Sequence, residues 1–147
     1  MIRCYRKGLE SAPNSGAIWS SLAQVYVKDK ADPARARECL AKARQQVRVG
    51  FAPMFDAFIE GMIEFEEGNN FAAKEHFERA LQIQSHYRGL TYRTSIKAML
   101  NGYLAMALAR MGHSKEARKT AELAMPFLVQ AKRTALLNRM RGEIPGL

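Results

Sequence analysis

Trp19-Ser20-Ser21-Leu22-Ala23-Gln24-Val25-Tyr26, followed by Asp32-Pro33 and then by Ala36, Leu40 and Ala43, is the stretch that decides the fold. Trp19, Leu22, Ala23 and Tyr26 recur at helical spacing, so their side chains make one stripe on one helix face. Ala36 and Ala43 stand seven residues apart with Leu40 between them. That gives a following helix a slim face, against which the first can lie close. Asp32 is a natural N-cap and Pro33 sits comfortably in a first turn, where its missing amide costs nothing. The stretch therefore predicts two antiparallel helices joined by a tight turn.

The pattern recurs downstream. Phe58, Gly61-Met62 and Phe65 precede a Gly68-Asn69-Asn70 turn and then Ala73, Phe77, Ala80 and Leu81. Leu104-Ala105 and Leu108 precede Gly112 and then Ala117, Ala121, Ala124 and Met125. Upstream, Tyr5, Gly8, Leu9 and Pro13 match only the second helix and closing proline of such a unit. Together these copies resemble the tetratricopeptide repeat, a helical hairpin of about 34 residues with a Trp, Leu, Gly/Ala, Tyr ladder and an Ala, Phe, Ala set. The likeness covers residues 1 to 126, most of the chain. Departures are a turn one residue longer at Lys30-Ala31, Gly61 where Leu is usual, Ser85 where proline is usual, and no aromatics in the last copy.

The resemblance implies an all-α, right-handed solenoid of antiparallel hairpins, about three repeats plus a C-terminal helix. The expected bounds are 1–13 for a lone second helix, 16–47, 54–86 and 98–126 for hairpins, and 127–141 for a capping helix. Pro126 is expected to end or kink its helix, and Asn70 and Ser114 to cap theirs. A bare second helix at the start predicts that the chain is a piece of a longer array.

Composition agrees. Hydrophobic residues make up 48 % of the 147, good helix formers dominate, and the alternation that strands require is missing. Between Leu81 and Met99 the chain carries about ten residues more than a standard junction. They predict either a longer second helix through Gln82–Leu90 or a loop over Ser85–Thr94 carrying Tyr87, Arg88, Tyr92 and Arg93.

Catalytic signals are missing. His76, His86 and His113 are scattered, and Cys4 and Cys39 lack the spacing of a redox or metal pair. No phosphate-cradling glycine loop or nucleophile elbow occurs, and Ser95 has no assignable base. Neither a metal, a cofactor nor an enzymatic activity is expected. No segment approaches the roughly 20 apolar residues that span a bilayer, and Arg3, Arg6 and Lys7 interrupt any signal peptide. Cytoplasmic location is the default expectation.

Arrays of this family usually hold a partner's peptide or helix in the concave surface formed by their first helices. On Met54–Glu67, Asp56, Glu60, Glu64 and Glu67 recur every three or four residues, while apolar side chains cover nearly all the rest. With Phe58 and Phe65 in the places of Trp19 and Tyr26, that acidic stripe faces the concavity and favours a basic or amphipathic partner. Ser20, Gln24 and Lys28 would flank it on one side, and Gly102, Met106 and Arg110 on the other. A register shifted by one residue puts Gly61 at the small site instead. Phe55, Phe58, Met62 and Phe65 then line the groove with Met99 and Met106, and Glu60 and Glu64 are buried, which costs several kcal/mol unless they are paired. The acidic version is the expectation. The Lys and Asn residues with which some family members clamp a carboxylate are not found near Ser20 and Gln24.

The formal charge of +9 demands a reading of its own. Arg35, Arg37, Lys42, Arg44 and Arg48 share one second helix, and Arg110, Lys115, Arg118, Lys119, Lys132 and Arg133 lie near the end. They predict a solvated back surface, with weak, salt-sensitive nucleic-acid binding as the lesser alternative. The expected function is a protein-interaction scaffold; the alternative is a module for self-association or regulation within a larger protein.

Overall fold

The computed structural model describes residues 1–46, 52–86 and 90–147, with the backbone alone for 90–94. The fold is all-α: among the described residues there are eight helices and no strand. They are α1 (Ile2–Ser11), α2 (Gly16–Lys28), α3 (Pro33–Arg44), α4 (Ala52–Glu66), α5 (Asn70–Gln84), α6 (Leu90–Arg110), α7 (Ser114–Gln130) and α8 (Thr134–Glu143).

Local chemistry sets most of the boundaries. The Ser15 hydroxyl accepts the Ile18 amide at 3.3 Å and starts α2. Asp32 Oδ1 accepts the Arg35 amide at 3.1 Å and Pro33 opens α3. α4 and α6 end on glycines with φ of +84°, Gly68 and Gly112. There the amides of Asn69 and Gly68 return to the carbonyls of Glu64 and Phe65, and those of His113 and Gly112 to Leu108 and Ala109. This double return satisfies the last carbonyls and needs a left-handed residue, which glycine supplies without strain. The turn after α7 has the same bonds, Arg133 to Leu128 and Lys132 to Val129, but Lys132 takes the left-handed place at φ +55°.

Three expectations are corrected. Asn70 and Ser114 begin α5 and α7 rather than capping them; the cap positions are Asn69 and His113, neither with a side-chain capping bond. α7 runs through Pro126 to Gln130, because Pro126 and Glu122 are exposed and the carbonyl that loses its amide partner can be hydrated. α8 accordingly begins at Thr134, not at 127. The extra residues after Leu81 neither lengthen α5 past Gln84 nor form a loop to Thr94; α6 starts at Leu90. Residues 87–89 and the side chains of Tyr92 and Arg93, like Arg48, lie outside the described residues.

The helices pack most closely as the pairs α2–α3, α4–α5 and α6–α7. Successive pairs meet through α3–α4, α5–α6 and α7–α8, and the leading helices also touch, α2 on α4, α4 on α6, α6 on α8. α1 lies on α2. Tyr26, Leu22, Ala36 and Leu40 are buried in one continuous core, with Trp19 half-buried at its edge and its indole N–H donating to the Pro13 carbonyl at 3.1 Å. The centre of that core is aromatic. Phe58 and Tyr103 meet edge-on at 5.6 Å between centroids, and Phe77 lies 6.2 Å from Phe58 and 5.7 Å from Tyr103.

Candidate binding cavity

The register of α4 decides where its acidic stripe points. A β-carbon on Gly61 would stand 2.5 Å from Phe77 Cε1, so the glycine is the small site that admits the α5 ring. The stripe then faces α3 and α5. Arg37 Nη2 lies 2.7 Å from Glu67 and 3.6 Å from Glu64. Arg44 bonds to Glu60 and approaches Asp56 at 3.6 Å. His76 Nδ1 is 3.2 Å from the other Glu60 oxygen, and Asn69 donates to Glu64 at 2.7 Å. Of these side chains Arg44, Asp56 and Glu60, together with Arg79, border a hollow of about 330 Å³. The expected acidic groove is thus a set of ion pairs between neighbouring helices. The pairing that the shifted register demands is present, although Phe58, Met62 and Phe65 are fully buried and line no open trough.

The flanking residues separate into two groups. Gly102 lies under α8, where a β-carbon would meet Met140 Sδ at 3.1 Å and Leu136 at 3.4 Å, and Met106 is fully buried. Arg110 is engaged too, donating to Glu143 at 2.6 and 3.0 Å and to the Phe65 carbonyl at 3.0 Å, with its guanidinium 3.7 Å from the Phe65 ring centroid. That fork of bonds holds the Glu143 carboxyl below the usual range and raises the Arg110 value. Ser20 is half-buried. Gln24 and Lys28, by contrast, line an open cavity.

That cavity holds about 510 Å³. Tyr5 of α1 and Ser21, Gln24, Val25 and Lys28 of α2 form one wall, Met99 and Tyr103 of α6 the floor. The opposite wall is the α7–α8 turn and the first turns of α8, from Lys132 to Leu136 with Arg139. Burial pushes the Tyr103 phenol up to about 12. Lys28 loses its proton more readily than an ordinary lysine, first because it is buried and next because Arg133 is near, while Asp29 works the other way. Arg139 is matched by Glu66 at 2.6 Å. Lys132, Arg133, Arg139 and Tyr103 did not enter the expected groove, since the sequence put the two turn residues on the outside of a helix starting at 127.

Elsewhere the chemistry is sparse. Among the described residues no group of three or more His, Cys, Asp or Glu side chains could hold a metal ion. Cys4 is exposed and Cys39 buried, both as free thiols, and burial raises the Cys39 value. No helix of the described residues is long and apolar enough to cross a membrane. Neither a family model nor a curated protein nor a solved structure matches the chain.

Proposed function

We propose that the chain is a non-catalytic protein-interaction module of tetratricopeptide type, which holds a peptide or helix of a partner in the cavity between α2 and α8. The order of contacts supports a stack of hairpins: each pair leans on the next through its second helix, and the leading helices α2, α4, α6 and α8 form a row. The observation that carries the function is the cavity itself. Its walls combine apolar side chains, Val25, Met99 and Leu136, with polar ones, Gln24, Lys28 and Arg133, the mixture that orients a bound segment while burying part of it.

Selection from a random peptide display library on the whole chain tests this. Bound peptides should shift the amide resonances of Gln24, Lys28, Tyr103 and Leu136, and Gln24→Trp, which fills the cavity, should abolish binding. Peptides that map to the outer faces of α3 and α5, and bind Gln24→Trp unchanged, would reject the proposal.

Self-association is a second reading, favoured by one feature. Leu123, Phe127 and Val129 of α7 are 64, 45 and 57 % exposed. Sedimentation of the wild type against Leu123→Glu/Phe127→Glu decides it: a dimer lost in the variant supports it, and a monomer at all concentrations rejects it.

A further inference from the structure

Most of the arginines that face neighbouring helices have found a carboxylate: Arg37, Arg44, Arg110 and Arg139 all make ion pairs. Around one corner of the cavity this rule fails. Lys28, Lys132 and Arg133 converge there from α2 and from the α7–α8 turn, and among the described residues none has a carboxylate at ion-pair distance. Asp29, the acid that borders the same corner, leaves a surplus of two positive charges. Lys28 is half-buried at the cavity wall, where an ammonium gains more from an anion than it does in open water. Thr134, Ala135 and Leu136 line the cavity as well, at the start of a helix whose cap residue Arg133 makes no side-chain bond to the first amides.

We propose that this corner binds a phosphomonoester on the partner segment, the dianion lying between Lys28, Lys132 and Arg133 and the flanking apolar residues against Met99 and Leu136. The proposal rests on the cavity being the partner groove and adds the chemistry of what it takes. A phosphate carries about −1.5 to −2 charges at neutral pH, with three acceptor oxygens, and so matches the surplus, whereas one carboxylate leaves a cation unmatched. Arg133 supplies a fork for two oxygens and Lys28 a point charge at the back. Binding also relieves the repulsion between Lys28 and Arg133.

Inorganic phosphate is the probe. Added to the labelled full chain at constant ionic strength, it should produce saturable shifts of the Thr134, Ala135 and Leu136 amides at pH 7.5. The response should be weaker at pH 5.5, where the second proton of phosphate is back on. Arg133→Gln and Lys132→Gly should each weaken the response by about tenfold, near 1.4 kcal/mol. Lys132→Gly keeps the turn, because glycine prefers the φ of +55° found there, so a lost response cannot be ascribed to unfolding.

Shifts no larger than those with chloride, or unchanged in both variants, would overturn the proposal. Acetate as effective as phosphate would do the same in favour of carboxylate-bearing segments, and an RNA oligonucleotide that shifts α3 and α7 rather than this corner would do so in favour of nucleic acid. Peptides that occupy the cavity without any phosphate response would end this proposal and leave the groove standing; a phosphate response in a chain that selects no cavity-binding peptide would end the groove reading alone.

Discussion

Gly61 of α4 lies so close to Phe77 of α5 that a single added β-carbon would stand 2.5 Å from the ring. The ring cannot step aside, being wedged among Phe58 and Tyr103. Alanine would gain about 1 kcal/mol in helix propensity. Overpacking a tight core costs about 1–3 kcal/mol and should win, so Gly61→Ala is expected to lower stability. Phe77→Leu in the same chain should cost less than its effect in the wild type, because the two changes share one space. Urea denaturation of both single variants and the pair checks this; additive effects would show that the contact is slack.

Tyr103 makes stability fall at high pH. Its phenol is pushed up to about 12 by burial, against about 10 in the unfolded chain. Below pH 10 both states keep the proton. As pH rises from 10 towards 12 the unfolded state releases it while the native state holds it, so the native state loses ground, by at most about 3 kcal/mol. Tyr103→Phe should flatten that alkaline decline relative to wild type in denaturation curves between pH 8 and 11.5. Parallel declines would place the ring in water.

Glu143 works in the opposite direction, at the acid end. Arg110 holds its carboxyl below the ordinary value, so the pair stabilises the docked α8 above the unfolded value and stops doing so as pH falls through the lowered one. The side chains are partly exposed, which limits the contribution to about 1 kcal/mol or less. Glu143→Gln should therefore melt below wild type at pH 7 and together with it near pH 2. A gap that persists in acid would mean that packing, not charge, is what the variant disturbs.

The residues that were legible in the sequence act locally. Asp32, Gly68 and Gly112 each fix a helix end through bonds within six residues, and the buried Leu22, Tyr26, Ala36 and Leu40 follow from spacing alone. The site was less legible for a geometric reason. One residue of register turns a helix by about 100°, and that step separates a stripe facing a groove from one facing α3. Gly61 offers itself as a small site in one of the two registers, but its contact with Phe77, on the next helix, is what selects that register. The partners of Glu60 and Glu67 stand 16 and 30 residues away, on another helix. A helix starting at 127 puts Lys132 and Arg133 on its surface; α7 instead passes through Pro126, and the pair falls in the next turn.

One comparison bears most directly on the claim that the α2–α8 cavity, and not the α4 stripe, receives the partner. A peptide selected on the wild-type chain is titrated into Lys28→Glu/Arg133→Glu and into Glu60→Gln/Glu64→Gln, each checked for folding by circular dichroism. The cavity pair should lose tenfold or more in affinity, about 1.4 kcal/mol at least, and the stripe pair should bind within about twofold of wild type. Full affinity in the cavity pair, with the loss in the stripe pair, would contradict the account.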